Sequence, residues 1–198
     1  MAAKTLRNLF IDELKDTYDA EHRITKALPK LIKAASSEAL VAGFESHLKQ
    51  TLEHIVRLEK VFELIDVTPA RKTCKAMVGL LAEGEELMEE FGVPGLRDAA
   101  LIAAAQKVEH YEMATYGCLR TWAQVMGEDK ARHLLQQTLD EEGTTDHKLT
   151  ELAVKLNTEA LSSEENVDLE DEDGDEGSMA PARRSSGTTR STKTPRNR

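Results

Sequence analysis

Residues 10–32 read FIDELKDTYDAEHRITKALPKLI, and the place of Glu21 in that stretch decides the fold. In an α-helix each residue advances about 100° around the axis. With Glu21 set at zero, Phe10, Leu14, Thr17, Ile24, Leu28 and Ile32 all fall within about 60° of it. The period is helical, and the carboxylate lies on the apolar stripe instead of opposite it. The same count around Glu109 gathers Ile102, Ala105, Met113 and Tyr116, and around Glu142 it gathers Leu135, Thr138, Leu139, Leu149 and Leu156. Glu112 follows Glu109 by one helical turn, and Asp146 follows Glu142 likewise. A carboxylate removed from water without a partner costs far more than one hydrogen bond returns. Several aimed into one core need protons, cations or a metal.

The rest of the sequence fits long helices around such a core. Among 198 residues only 4% are aromatic. Ala, Leu, Glu and Lys dominate, a mix that favours helix over sheet. Five helices are expected, at about 5–35, 37–65, 74–90, 96–126 and 129–157. Pro29 marks a kink in the first, Thr68-Pro69 a stop after the second, and Val93-Pro94-Gly95 a turn before the fourth. Four of these helices have about 28 residues and a length of roughly 40 Å. Matched amphipathic rods of that kind make a four-helix bundle, with the shorter third helix as a crossover. The fold class is therefore all-α, with one helical domain over 1–158. Two short echoes relate the halves: Ala20-Glu21-His22 with Val108-Glu109-His110, and Thr51-Leu52-Glu53 with Thr138-Leu139-Asp140.

The remainder, 159–198, is read as a disordered tail. Ten acidic residues and no basic one lie between Glu159 and Glu176, and six Lys/Arg with no acid follow from Gly177 onward. Such segments bury too little apolar area to offset their ordering entropy. The formal net charge of -10 argues against nucleic-acid binding by the folded part, since phosphate contacts need a basic face. Only the basic end of the tail has the right charge. Two isolated cysteines make no disulfide framework, and the N-terminal MAAKTLRNLF contains no signal-type apolar run. No apolar stretch approaches the length of a membrane span. The expected compartment is the cytoplasm.

Inward carboxylates from three long helices suggest a pair of divalent cations. Two such ions repel at short range, and bridging carboxylates screen that repulsion. Oxygen and imidazole donors suit iron or manganese. The known bundle arrangement takes one Glu from each of two helices and Glu-x-x-His from each of the other two. Here the second helix departs from it. Its apolar face is Phe44, Leu48, Thr51, Ile55, Leu58 and Phe62, flanked by His47 and His54, with no inward acid. His54 is the imidazole taken as a ligand, and His47 is read as structural. In the fifth helix Asp146 stands where an imidazole would, and His147 points outward. The metal set is thus Glu21, His54, Glu109, Glu112, Glu142 and Asp146. Arg57 and Arg120, near the inward faces, could instead neutralise part of the cluster. Tyr18 and Tyr116 lie beside these faces as packing residues. His22, His110 and His147 are expected in solvent, and Cys118 in the core. No Ser-His-Asp set, phosphate loop or CxxC pair is present.

Four blocks carry a family resemblance. DELKDTYDAEHRITKALPKL, HLKQTLEHIVRLEKVFEL, LIAAAQKVEHYEMATYG and LLQQTLDEEGTTDHKLTELA, in this order, resemble the YciF-like bacterial stress proteins over about residues 4–157. The resemblance implies a ferritin-like four-helix bundle with an extra helix, a homodimer, and a dimetal site similar to that of rubrerythrin. On it, Glu21, Glu109, Glu112 and Glu142 match carboxylate positions, and His54 and Asp146 stand near second-ligand positions. A reduced metal pair in such a core would meet peroxide or oxygen, so their reduction in stress defence is the expected chemistry. A metal-free structural or interaction bundle, working through its charged tail, is the rival reading.

Overall fold

The computed structural model describes residues 4–172. From residue 173 on, the expected acidic-then-basic tail lies outside the described residues. The elements are α1 (Leu6–Ala34), α2 (Glu38–Leu64), α3 (Lys75–Glu90), α4 (Pro94–Val125) and α5 (Asp129–Glu172). No strand occurs among the described residues. Each expected helix is present. The main departure is α5, which runs past 157 to Glu172. One compact unit closes at Ser162, near the expected boundary at 158. Ala160 explains part of the extra length: a Cβ on Gly95 would stand 3.4 Å from the Ala160 Cβ, so this turn of α5 packs on the start of α4. Glu, Leu and Ala are also strong helix formers, even in an acidic segment.

Local sequence sets the helix ends. Thr5 caps α1 through a reciprocal bond with Asn8. Pro29 lies inside α1, which nevertheless continues to Ala34. After α4, Gly127 adopts φ +77°, and its amide and that of Glu128 bond back to Gln124 and Ala123. This is the left-handed stop that glycine permits at low cost. Short links at 35–37 and 126–128 make α1/α2 and α4/α5 antiparallel neighbours.

Two buried aspartates fasten the longer connections. Asp98, in the first turns of α4, accepts from the backbone amides of Ser36 and Ser37, both at 2.8 Å. Asp19 accepts from the Cys74 amide at 2.9 Å and from Arg23 and Arg71. Burial alone would push its pKa up, but these three donors together hold it below the usual carboxylate value. The stretch between α2 and α3 is thereby pinned to α1, and α3 lies along α1 and α4. Gly84 permits that approach, since a Cβ there would come within 3.4 Å of the Ala104 Cβ.

The apolar core falls into two clusters. One holds Phe10 and Leu14 of α1, Leu58 and Phe62 of α2, Tyr116 and Leu119 of α4, and Leu135 of α5. The other holds Ile24 and Leu28, Leu40 and Phe44, Leu101 and Ile102, and Leu149. Each such fully buried side chain contributes roughly 1.5–3 kcal/mol. A run of several therefore offsets a polar layer between them. That layer contains Glu21, His47, Thr51, His54, Glu109, Glu112 and Glu142, every one buried. Cys118, expected in the core, is exposed. It lies about half a turn of the helical wheel from Glu109, on the opposite face of α4.

Candidate metal centre

The polar layer is assembled one helix at a time. α1 supplies Glu21, α2 supplies His47 and His54, α4 supplies Glu109 and Glu112, and α5 supplies Glu142. The spacing on α2 is i, i+7, so both imidazoles leave one stripe two turns apart. Threonines keep the adjoining positions small. Thr51 returns its hydroxyl to the His47 carbonyl, and Thr17 to that of Glu13.

Two groups of ligand-type atoms result. His47, Glu109, Glu112 and Glu142 form one, and Glu21, His54 and Glu142 the other, each with its donor atoms within 4.8 Å of one another. Glu142 belongs to both and sits between them. Its Oε1 lies 3.0 Å from Nδ1 of His54, and Oε1 of Glu21 lies 3.5 Å from the same nitrogen. Nε2 of His47 is 3.2 Å from Oε1 of Glu109.

These approaches satisfy few hydrogen bonds. Ten buried side-chain N or O atoms have no hydrogen-bond partner, and nine of them belong to this layer: Glu21, His47, His54, Glu109, Glu112 and Glu142. Buried polar atoms in folded proteins are nearly always satisfied. Their concentration in one place is what a group able to hold an ion would show. The set offers carboxylate oxygen and imidazole nitrogen, which suits iron, manganese or zinc. The residues fit a metal pair.

Charge supports the same conclusion. Among the described residues, no lysine or arginine forms an ion pair with Glu21, Glu109, Glu112 or Glu142. Arg57 is instead taken by Glu141 and Thr138, and Arg120 reaches only Gln124. Burial, followed by repulsion from Glu142, lifts the Glu109 pKa well above the ordinary value. Burial and the Glu21 charge do the same to Glu112. Glu21 is raised by burial despite His54. Burial would depress His54, but Glu142 and Glu21 outweigh it and bring it up to about 11. His54 in turn outweighs the effect of burial on Glu142 and holds that carboxyl below its usual value. Burial lowers the His47 pKa, which favours the neutral imidazole, with one ring nitrogen carrying a proton and the other a lone pair.

Around the centre, Tyr116 donates a hydrogen bond to Oε1 of Glu21. Burial first, and then that acid, raise its pKa well above the phenol range, so it keeps its proton. Tyr18 donates to Glu59 at 2.7 Å, near the surface.

Five of the six expected ligands meet here: Glu21, His54, Glu109, Glu112 and Glu142. Asp146 does not. Its Oδ1 accepts from Gln106 at 3.2 Å and lies 3.2 Å from Nε2 of His110. The buried stripe of α5 runs through Leu135, Thr138, Glu142, Thr145 and Leu149. Asp146 is about 60° off its centre, towards α4. His47, expected to be structural, stands within one of the two groups, its Nε2 3.2 Å from Oε1 of Glu109. Glu141 was not singled out at all, though its Oε2 lies 2.8 Å from Nε2 of His54. The wheel of α2 contained the signal for His47, because it lies on the same side of Thr51 as His54. His110 and His147 are exposed, as expected, and so is His133; His22 is half-buried against Tyr18.

Fold and centre together define a class: an all-α bundle of four long helices and a crossover helix, with a carboxylate–histidine cluster buried between two apolar clusters. Residues 5–162 match the family model described as Domain of unknown function (DUF892), and the chain belongs to this family. It is 48% identical over 155 residues to protein YciF of Escherichia coli (strain K12), across 78% of this chain and 93% of that one. The crystal structure of that E. coli stress protein superposes with a TM-score of 0.76 at 47% identity, covering 79% of this chain and 99% of the other. YcfI of Rhodopseudomonas palustris, a proposed structural protein, gives 0.73 at 41% identity, over 74% and 94% of the two chains. No helix among the described residues is long and apolar enough to cross a membrane.

Proposed function

We propose that this stress-protein homologue is a ferritin-like dimetal protein that binds two divalent cations, iron or manganese, between α1, α2, α4 and α5. The observation that carries the reading is the overlap at Glu142 of two buried ligand groups whose atoms otherwise lack partners. Glu142, which belongs to both groups, would serve both ions; His47, Glu109 and Glu112 would help to hold one, and Glu21 and His54 the other. A reduced metal pair held there would supply two electrons, which with two protons take hydrogen peroxide to two waters, or the first two electrons for reducing oxygen. The chain's own part is to hold the carboxylates, exclude bulk solvent, and keep a proton on Tyr116 beside Glu21. We further propose a homodimer in the cytoplasm.

Metal analysis of protein purified without chelator tests the reading, backed by anomalous diffraction at the iron and manganese edges. About two ions per chain, with anomalous peaks beside Glu142, is the expected result. The rival is a metal-free structural bundle. The raised carboxyls of Glu109 and Glu112 and the proposed structural role of YcfI speak for it. Against it, four carboxylates and two imidazoles from four helices converge in one buried layer, and no lysine or arginine among the described residues pairs with any of those carboxylates. Absence of metal after anaerobic loading with ferrous iron, with no rise in melting temperature, would decide for that rival.

A further inference from the structure

Glu21, His54 and Glu142 have no exposed surface, and Glu109 and Glu112 have 1% each. Any solute that meets this centre must pass between helices. A cleft between α2 and α5, with a volume of about 260 Å³, has His47 and Glu109 on its wall. By the same measure one water needs roughly 10–15 Å³. The cavities formed by α1, α3 and α4, by the end of α2 with the start of α5, and beside Tyr111 have none of the centre's residues on their walls.

The cleft is built from two facing stripes. On α2, Gly43, Ser46, His47 and Gln50 recur at helical spacing. On α5, Thr145, Lys148 and Leu152 do the same. Ser46 and Lys148 are exposed, Gln50 is half-buried, and Thr145 and His47 are buried. The path therefore runs from an open mouth to a closed floor. At the floor, both ring nitrogens of His47 are buried and without a hydrogen-bond partner. Gly43 forms the wall towards Leu152, and a Cβ there would already stand in van der Waals contact at 3.8 Å. Glycine inside a helix costs about 0.5–1 kcal/mol relative to alanine. Here it keeps space open that a longer side chain would fill.

We propose that the α2–α5 cleft is the solute entrance to the buried centre. It admits small hydrogen-bonding molecules of two or three heavy atoms, peroxide-sized neutrals and small anions, past Gln50, Thr145 and Lys148 to His47. Lys148 is the charged group at the exposed mouth and Glu109 the one at the buried floor, so a small anion meets a cation first, and bulky solutes are excluded by the narrow walls. This inference rests on the metal reading above.

The test follows azide binding to the iron-loaded, oxidised full-length protein by stopped-flow absorbance, with iron content measured on the same samples. Gly43→Leu narrows the wall. Ser46→Phe blocks the exposed mouth and leaves the core packing alone, in case the first variant does not fold. Gly79→Leu, at an exposed helical glycine on α3 with open space around it, is the control. The expected result is azide binding slowed about tenfold or more in Gly43→Leu and Ser46→Phe. Iron content stays the same, and the control behaves as the parent. Parental azide rates in both cleft variants with full iron would overturn the entrance. Iron absent from every protein, the parent included, would overturn the metal reading and this inference with it.

Discussion

Arg57 grips Glu141 with both arms, Nη2 at 3.0 Å from Oε1 and Nη1 at 3.1 Å from Oε2. This two-point pair lies at the edge of the buried layer. It does not neutralise the layer. Glu141, so held, faces Nε2 of His54 at 2.8 Å, and its pKa stays below the ordinary value because Arg57 and His54 outweigh its burial. The imidazole is thereby fixed with Nδ1 towards Glu142 and Glu21. Partners of this kind orient a ligand and typically contribute 10–100-fold to metal affinity. Glu141→Gln and Arg57→Ala are each expected to weaken metal binding by about that factor, read in a competition titration against a coloured chelator. Unchanged affinity in both would mean that His54 is no ligand.

Glu142 and Asp146 lie one turn apart on α5 and should behave as opposites. Glu142 belongs to both ligand groups, so Glu142→Ala should lower metal content from about two ions per chain towards none. Asp146 is tied to Gln106 outside the layer, so Asp146→Ala should keep both ions. Elemental analysis of the two variants, prepared side by side, checks the pair. Loss of metal in Asp146→Ala alone would reverse the assignment.

Much of this was legible in the sequence. Helical period places Glu21, Glu109, Glu112 and Glu142 inward, because each falls at the apolar phase of its helix. Period alone could not separate Asp146 from Glu142. The two differ by about 40°, and which of them is inside depends on how α5 is rotated against α4. His47 was passed over because a histidine at the edge of an apolar face usually just packs; only the arrival of Glu109 from another helix gives it a role. Glu141 is polar, half-exposed and next to Glu142 in the chain, and nothing local distinguishes it from a surface glutamate. The extra length of α5 rests on Ala160 meeting Gly95, a contact about 65 residues apart in the chain that no local pattern encodes.

The two cysteines should differ in reactivity. Cys74 has no exposed surface, and its Sγ lies 3.1 Å from the Tyr111 hydroxyl, which donates to Asp16. Burial, and then Asp16, raise its pKa, so little thiolate forms at neutral pH. Cys118 is exposed. Iodoacetamide on the native protein should modify Cys118 and spare Cys74 until denaturant is added, as read by intact mass and peptide mapping. Rapid labelling of Cys74 under native conditions would mean that the joint between α1, α3 and α4 opens.

The metal-free protein should lose stability as pH rises. Glu21, Glu109, Glu112 and His54 all have raised pKa values in the fold, so the folded state binds their protons more tightly than the unfolded chain does. Their contribution is complete below the unfolded values and is lost as pH climbs towards the folded ones. His47 is lowered and acts in the opposite sense only below its ordinary value of 6.5. From pH 6.5 to about 9, therefore, the melting temperature of chelator-treated protein should fall steadily. Metal-loaded protein should show the reverse trend relative to it, because ligand protons must leave for the ion to bind. Melting curves across this range, with and without metal, test the sign. A metal-free melting temperature that rises with pH would contradict the assignment of protons to these acids.

Glu112 permits a sharper separation of stability from function. Both its oxygens are buried and without partners, and burial with three neighbouring acids raises its pKa. Replacing such a group by an apolar side chain of similar volume is often stabilising, by about 1–4 kcal/mol. Glu112→Met should therefore raise the melting temperature of the metal-free protein and abolish most of the further rise that iron or manganese gives the parent. A group kept only for packing would show neither effect. Destabilisation of the metal-free variant, with the metal-dependent gain intact, would mean that Glu112 supports the fold and binds nothing. The expected inversion follows from the same physics that singled out Glu21: a buried acid costs stability unless protons, cations or a metal offset its charge.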